Sequence, residues 1–190
     1  AVFNGSSGEW TLGSALTLGG DVTVTAGTLN NGGFLITGNG GSDTFSVANG
    51  AFFDMSGTSA YPASFTTYTY GATSTVRYLQ TNGPTVTNAT YGHLELKPAG
   101  ATAIVLPASL NNIAGNFVIG NGTNAGATAA MNNPAVTVAG IMTVAANATY
   151  TAGDGQLTLT ASGTPLVVNG TLDPSLAGIV YAGTSATTVL

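Results

Sequence analysis

The stretch GDVTVTAGTL at residues 20–29 alternates apolar and polar residues and then reaches a glycine, Gly27. Alternation over this length predicts a half-buried β-strand, and the glycine predicts a tight turn. The same order of strand and turn recurs at GNFVIGNGT 115–123, AGIMTVAANAT 139–149, TPLVVNGTLD 164–173 and, more loosely, SDTFSVANGAFFD 42–54. The chain is therefore built on an internal repeat.

The spacing between the turns is nearly constant. The turn positions are Gly27, Gly50, Gly122, Asn147 and Gly170, separated by 23, 72, 25 and 23 residues. The long interval is close to three short ones, which predicts further turns near 71–75 and 98–100. A unit this short cannot bury its own apolar side, so successive units must stack to form a core. The pattern predicts an all-β, right-handed parallel β-helix (a β-solenoid) of about eight coils of about 24 residues.

Composition agrees with an all-β chain. Of the 190 residues, 44% are hydrophobic, only 5% are charged and 28 are glycine. The polar residues are mainly Thr, Asn and Ser, which suit strands and turns, so we expect essentially no α-helix. Because the repeat runs from end to end without a linker, residues 1–190 are predicted to form a single continuous solenoid. An aromatic-rich excursion from the coil rhythm is predicted at 52–75.

Strand alternation also predicts which side chains face inward. Thr23, Thr25, Glu95, Thr143 and Thr158 should face outward. The predicted interior is Val22, Val24, Leu35, Phe45, Val47, Leu96, Val105, Phe117, Ile119, Val138, Met142, Val144, Leu157, Leu159 and Val167.

Charge and hydropathy argue against several classes of partner. The formal net charge is −5, and Arg77 and Lys97 are the two basic residues. Nucleic-acid binding needs a basic patch, so we expect no nucleic-acid partner. No apolar run approaches the roughly 18 residues of a spanning helix, so no membrane insertion is expected. The absence of cysteine from the sequence excludes disulfides and thiolate metal sites.

The two ends of the sequence look alike. VFNGSSGEWTL at 2–12 and VYAGTSATTVL at 180–190 each place an aromatic residue second, before a small polar stretch and a return to strand residues; RYLQTNGPTVT at 77–87 shares the pattern. Soluble solenoids usually cap their terminal coils with a helix, charges or proline, and neither end here shows such a cap. The expected partner is therefore a second copy stacked head to tail, or the adjoining repeats of a longer chain.

A family resemblance follows from three of these phrases. Phe3 to Gly8 (FNGSSG), ATYGHLEL at 89–96 and the G-x-V-x-V-x-x-G-T-L phrase at 20–29 together resemble the β-helical repeats of large secreted bacterial surface proteins, adhesin-like and autotransporter-like. The resemblance implies an extracellular or cell-surface location and a role in a surface fibre or in adhesion. It transfers no catalytic residue.

One stretch is similar to a calcium-binding nonapeptide. In GNGGSDTFS at 38–46, Gly38, Gly41, Asp43 and Phe45 match G-G-x-G-x-D-x-U-x, while Asn39 replaces the second glycine. Such sites lie between tandem copies, because calcium takes about six to eight oxygen ligands. A single copy favours a glycine-rich corner between coils. Asp43 stays a candidate calcium ligand, and no other cofactor is expected.

Catalytic pairs are hard to find in the sequence. Glycosidases need paired carboxylates, whereas the seven acidic residues here are widely spread, with Asp21 and Asp43 the only pair near one coil apart. His93 and Glu95 share one strand face and are interpreted as a surface pair. No catalytic or metal-binding residue is assigned, and a β-helical polysaccharide-degrading enzyme is a remote alternative.

Candidate modification sites are more numerous. Five N-x-[S/T] sequons occur, at Asn4, Asn88, Asn121, Asn147 and Asn169. They are candidate glycosylation sites in a host that performs this chemistry.

The sequence therefore predicts a structural, non-catalytic extracellular protein. It would be a subunit or repeat segment of a surface fibre built by head-to-tail stacking of β-solenoids. The alternative is a cell-surface adhesin or carbohydrate-binding module, for which surface glycans would be the partner.

Overall fold

The computed structural model describes residues 1–110, 112–123, 127–131, 135–174, 178–185 and 187–189. Over these ranges the chain forms β-strands and turns and no helix, as the composition predicts. The strands are β1 (Val2–Thr11), β2 (Leu16–Thr17), β3 (Val22–Asn30), β4 (Ile36–Thr37), β5 (Thr44–Val47), β6 (Phe52–Met55), β7 (Thr67–Tyr70), β8 (Thr75–Tyr78), β9 (His93–Leu96), β10 (Ala103–Leu106), β11 (Asn112–Ile113), β12 (Phe117–Ile119), β13 (Ala127–Met131), β14 (Val136–Val138), β15 (Met142–Val144), β16 (Ala148–Thr151), β17 (Leu157–Leu159), β18 (Gly163–Val168), β19 (Thr171–Asp173), β20 (Ile179–Tyr181) and β21 (Thr187–Val189).

The strands stack as a parallel β-solenoid of about seven turns, close to the predicted number. The main sheet has the order β21-β18-β15-β12-β9-β8-β6-β3-β5-β7, and β1 also pairs with β3. Two further sheets, β10-β13-β16-β19 and β11-β14-β17-β20, form the other sides, with the short pair β2-β4. All of these described strand pairs are parallel. Parallel crossover connections are right-handed in about 98% of cases, so a right-handed winding stays the prediction.

Most turns lie where the repeat places them, but Gly27 lies inside β3, between the residues that pair with β5 and those that pair with β6. Turn or bend geometry occurs at 72–73 and at 99–100, inside the long interval that the spacing divided into three. Four of the five predicted turn positions have a left-handed backbone: φ is 80° at Gly27, 75° at Gly50, 79° at Gly122 and 62° at Asn147. Glycine adopts this region without a steric penalty, and asparagine is one of the few other residues that visits it routinely.

The interior is an apolar stack that follows the predicted alternation over most of its length. None of the five threonine and glutamate positions predicted to face outward is buried. Three predicted core positions are only half-buried, namely Leu35, Val105 and Val167, and the buried residues are instead their neighbours Ile36, Ile104 with Leu106, and Leu166. Each error falls in a run of consecutive apolar residues, where alternation does not show which face is inside.

The aromatic-rich segment 52–75 contains ladder strands joined by a longer connection, and the excursion stays a prediction. Strands β6 and β7 both keep ladder positions, because Phe52 pairs with Thr75 and Phe45 with Tyr68. Phe53 is fully buried and packs edge-on against Phe45 with ring centroids 4.8 Å apart. The connection at 56–66 is not strand, but an isolated parallel bridge at Ala63 holds it on the stack. Phe53 and Phe65 thus belong to the core, while Tyr61, Tyr68 and Tyr70 are half-buried and pack against it.

Candidate functional sites on the flank and ends of the solenoid

Both basic side chains form ion pairs on the outer face of the main sheet. Arg77 lies between Asp54 and Glu95 in the ladder. Its Nε donates to Asp54 Oδ1 at 2.5 Å and its Nη2 to Asp54 Oδ2 at 2.8 Å, while its Cζ lies 4.8 Å from the centroid of the Phe52 ring. Lys97 Nζ donates to Glu95 Oε2 at 2.7 Å. The carboxylates of Asp54 and Glu95 balance the two positive charges, so the cluster presents no basic patch. The pair of Arg77 with Asp54 also links two coils.

Burial determines how Asp54 titrates. Asp54 is 6% exposed, and desolvation raises the pKa of its carboxyl, outweighing the opposing effect of the Arg77 guanidinium. The folded state therefore binds this proton more tightly than the unfolded chain does. Its contribution to stability is complete below the unfolded pKa of 3.8 and is lost as the pH rises through the higher folded pKa.

This titration leads to a test. We expect the part of the free energy of unfolding that Asp54 controls to decrease as the pH rises from about 4 towards neutrality. Urea unfolding at several pH values should show this slope in the wild type, and Asp54→Asn should flatten it. An unchanged slope in Asp54→Asn would contradict the assignment.

His93 belongs to a polar ladder at one corner. Its Nδ1 accepts a hydrogen bond of 2.8 Å from the Asn116 backbone N–H, one coil further on. Asn116 Oδ1 in turn accepts from the Ile141 N–H at 2.9 Å in the next coil. Glycines precede these three residues, and a Cβ at Gly115 would lie 2.5 Å from His93 Nδ1. His93 therefore serves coil-to-coil hydrogen bonding, rather than a surface pair with Glu95.

The calcium candidate Asp43 lies at a corner between coils. Its Oδ2 accepts a hydrogen bond of 3.0 Å from the Asn39 N–H, and its carbonyl accepts from the Thr66 N–H and hydroxyl at 3.0 Å. Asp21, one coil before, uses Oδ1 to accept from the Thr44 N–H at 2.7 Å. These bonds match the alternative of a structured glycine-rich corner. Across the described ranges, no three His, Cys, Asp or Glu side chains are grouped as a metal site would need.

All five sequon asparagines are exposed. Asn121, Asn147 and Asn169 follow the paired strands β12, β15 and β18, so they lie at the same corner of three successive coils. Asn147 Nδ2 donates to the Gly122 carbonyl at 3.4 Å, which links two of these corners directly. A glycosylating enzyme must be able to reach the asparagine side chain, and the exposure of these five residues allows that. Glycosylation stays a prediction.

Four tyrosines form a cluster at β8, with Tyr78 and Tyr91 buried and Tyr61 and Tyr70 half-buried. The hydroxyls of Tyr61 and Tyr70 are hydrogen-bonded to each other, and the rings of Tyr70 and Tyr91 stack with centroids 5.3 Å apart. Tyr91 donates its proton to the Thr87 carbonyl at 2.7 Å, so Tyr78 must be the donor in the 3.1 Å contact between the Tyr78 and Tyr91 hydroxyls. Burial raises the pKa of all four hydroxyls, which stay protonated at neutral pH.

A polar cavity adjoins this tyrosine cluster. It has a volume of about 280 Å³ and is lined by residues 58–61 and by Tyr78, Gln80, Asn82, Pro84 and Thr85. Gln80 is 1% exposed, and its Nε2 donates to the Ser59 carbonyl at 2.6 Å. Its Oε1 is buried and has no hydrogen-bond partner. Sequence reasoning missed this site, because its residues come from two coils and match no motif.

The terminal strands combine unpaired backbone edges with exposed apolar side chains. Among the described strands, β1 pairs only with β3, and β19, β20 and β21 pair only with β16, β17 and β18. Val2 is 71% exposed on β1, while Val180 and Tyr181 are 37% and 40% exposed on β20. The other large apolar residues exposed within the described ranges are Phe34 and Ile141, which lie along the length of the rod.

Comparison of the chain with protein-family models, with curated proteins and with solved structures gave no significant match. Over the residues described, the structure has no helix that is long and apolar enough to cross a membrane.

Proposed function

We propose that the chain is a structural rod segment of an extracellular surface fibre, extended by head-to-tail stacking of β-solenoids. The terminal strands carry this proposal, because open backbone edges and exposed apolar side chains coincide there. A further coil on either end would continue the parallel ladders and cover Val2, Val180 and Tyr181. The two ends of the rod are different surfaces, so each copy can bind a further copy at either end. Such head-to-tail contacts form a ring only if the rotations between successive copies add up to a full turn. Stacking along the rod axis gives an open fibre instead.

Three observations support a structural, non-catalytic role at the cell surface. The ion pairs of Arg77 and Lys97 and the hydrogen bonds of His93 all connect coils or neighbouring strand positions. The outward positions are rich in Thr, Ser and Asn with few charges. The phrases at 3–8, 20–29 and 89–96 resemble repeats of secreted bacterial surface proteins. A rod whose side chains mainly join one coil to the next suits a mechanical element.

Self-association of residues 1–190 tests the proposal. Sedimentation equilibrium of the wild type should show a mass that rises with concentration, and electron microscopy should show end-to-end rods. Val180→Lys places a charge at the open edge strand β20, where lysine opposes pairing with a further strand, and should lower the association constant by about tenfold, which corresponds to about 1.4 kcal/mol.

A matched control separates the end from the flank. Ile141 is 42% exposed, similar to Val180, but it lies along the length of the rod. Ile141→Lys should leave the association constant unchanged. A wild type that stays monomeric at all concentrations, or equal effects of the two substitutions, would contradict head-to-tail stacking of this chain.

A further inference from the structure

We propose that the corner at Asn121 and Gly122 is a site of spontaneous deamidation, where Asn121 is converted to aspartate and isoaspartate without an enzyme. The corner follows β12, which lies between β9 and β15 in the main sheet and so within the length of the rod. The reaction modifies the chain itself. It goes beyond the proposed structural role and does not depend on stacking at the ends.

The sequence offers several places for this reaction. Deamidation is fastest where glycine follows asparagine, because glycine has no side chain to hinder its backbone nitrogen. Seven such pairs occur, and their asparagines are Asn4, Asn31, Asn39, Asn49, Asn82, Asn121 and Asn169. The sequence does not distinguish between them. The structure does, because it determines whether the glycine nitrogen is available as a nucleophile.

The reaction is an intramolecular substitution at the side-chain amide. The Gly122 nitrogen gives its proton to a solvent base and bonds to Asn121 Cγ, while the bond from Cγ to Nδ2 breaks and Nδ2 leaves as ammonia. Water then opens the resulting cyclic imide at one of its two carbonyls. One opening leaves aspartate, and the other leaves isoaspartate, whose backbone runs through the side chain. Water is consumed and ammonia is released.

The nucleophile is available at Gly122. This residue is exposed with φ of 79°, and its N–H has no hydrogen-bond partner among the residues that the structure describes. A nitrogen whose N–H is already hydrogen-bonded must break that bond before it attacks. Four other Asn-Gly pairs are held in this way, because Gly32 donates to Asn30 Oδ1, Gly40 to the Ser64 carbonyl, Gly50 to the Thr73 carbonyl and Gly170 to the Val144 carbonyl.

The amide that is attacked is also activated. Asn121 Oδ1 accepts hydrogen bonds from the Thr123 backbone N–H at 2.9 Å and from the Thr123 hydroxyl at 3.0 Å. Negative charge develops on this oxygen when the Gly122 nitrogen adds to Cγ. Donors at about 2.7–3.1 Å stabilise such an oxyanion, so the two bonds lower the barrier to addition.

Asn39 is a matched comparison within the same chain. It is exposed, its Oδ1 accepts from the Gly41 N–H at 2.9 Å, and the φ of Gly40 is 78°. The Gly40 N–H, however, donates to the Ser64 carbonyl at 3.0 Å. Breaking one such hydrogen bond slows a reaction by about fivefold, which corresponds to about 1 kcal/mol. Asn121 should therefore deamidate at least about fivefold faster than Asn39.

Deamidation would change this corner of the rod. It places a carboxylate one coil away from Asn147, whose Nδ2 donates to the Gly122 carbonyl at 3.4 Å. Isoaspartate also adds a carbon to the backbone of the turn. The reaction removes the Asn121 Nδ2, the atom to which a glycan would be attached, so deamidation and glycosylation exclude each other at this sequon.

Peptide mapping of residues 1–190 tests the proposal. The folded chain is incubated at mildly alkaline pH and digested with chymotrypsin, since it has only two basic residues for trypsin. Mass spectrometry quantifies each Asn-Gly peptide, and chromatography separates aspartate from isoaspartate. We expect both products at Asn121, formed at least about fivefold faster than at Asn39.

Two controls connect the rates to the structure. In concentrated urea the hydrogen bond of Gly40 is lost, so the rates at Asn121 and Asn39 should become similar. Thr123→Val removes the hydroxyl donor but keeps the backbone N–H and the branched shape, at an exposed position where folding is insensitive. It should slow deamidation at Asn121 by about fivefold and leave the rate at Asn39 unchanged.

Two results would overturn the proposal. One is an Asn121 that stays intact in the folded chain while it deamidates in urea. The other is a ratio of the two rates that is the same in the folded and the unfolded chain, because the difference would then come from the flanking sequence.

Discussion

Replacing Val24 by Asp is expected to abolish folding of the solenoid. Val24 is 0% exposed and lies in β3 between Phe3 in the coil before and Val47 in the coil after. An aspartate there buries an unpaired charge among apolar side chains, at a cost of several kcal/mol or more. A domain of this size has only about 5–15 kcal/mol of stability in total. Thermal unfolding followed by circular dichroism should show the loss of the cooperative transition.

The adjacent residue supplies the control for this substitution. Thr25 belongs to the same strand but is exposed, because strand alternation turns it to the opposite face. Thr25→Asp adds the same charge and should change the melting temperature little. A Val24→Asp protein that melts at the wild-type temperature would show that the facing of β3 is wrong.

Replacing Gly92 by Ala is expected to have the next largest effect. A Cβ at this position would lie 2.2 Å from the Gly71 carbonyl oxygen and 2.7 Å from the Ser74 carbonyl oxygen. Both are backbone atoms of the preceding coil, and the Ser74 oxygen also accepts a 2.7 Å hydrogen bond from the His93 N–H. Overpacking usually costs about 1–3 kcal/mol, and we expect the upper end because the backbone cannot rotate away. Urea unfolding of the variant measures this loss.

Gly100 provides the matched glycine control. A Cβ there would meet no heavy atom within 4 Å, and neither Gly92 nor Gly100 has a positive φ. Gly100→Ala should therefore leave the free energy of unfolding unchanged or raise it slightly, because alanine restricts the unfolded chain. Equal destabilisation by the two substitutions would contradict the close approach of the coils at Gly92.

The period of the repeat explains why Asp54 and Arg77 form an ion pair. Asp54 and Arg77 are 23 residues apart, the same interval that separates several of the predicted turns. The signal was therefore present in the sequence, since residues one period apart are neighbours in a stacked solenoid. Acid-to-acid spacing alone does not reveal it, because the pair joins an acidic residue to a basic one. The contact of Arg77 with the Phe52 ring adds a second link across the same two coils.

The parallel solenoid, its coil length, most of its turn positions and the facing of most strands are predictable from the sequence alone. These features follow from two periods, alternation along a strand and recurrence between coils, which are both local properties of the chain. Glycine or asparagine at 50, 122 and 147 is enough to predict the turns there, because few other residues adopt a positive φ.

The inward-facing residue in the runs around Leu35, Val105 and Val167 is set by tertiary packing, because consecutive apolar residues do not show which face is inside. In such a run the pairing with the neighbouring coil selects the buried residue, as Leu166 shows by pairing with the buried Met142. The cavity at Gln80 is likewise a tertiary feature. It forms where connections of two different coils leave space.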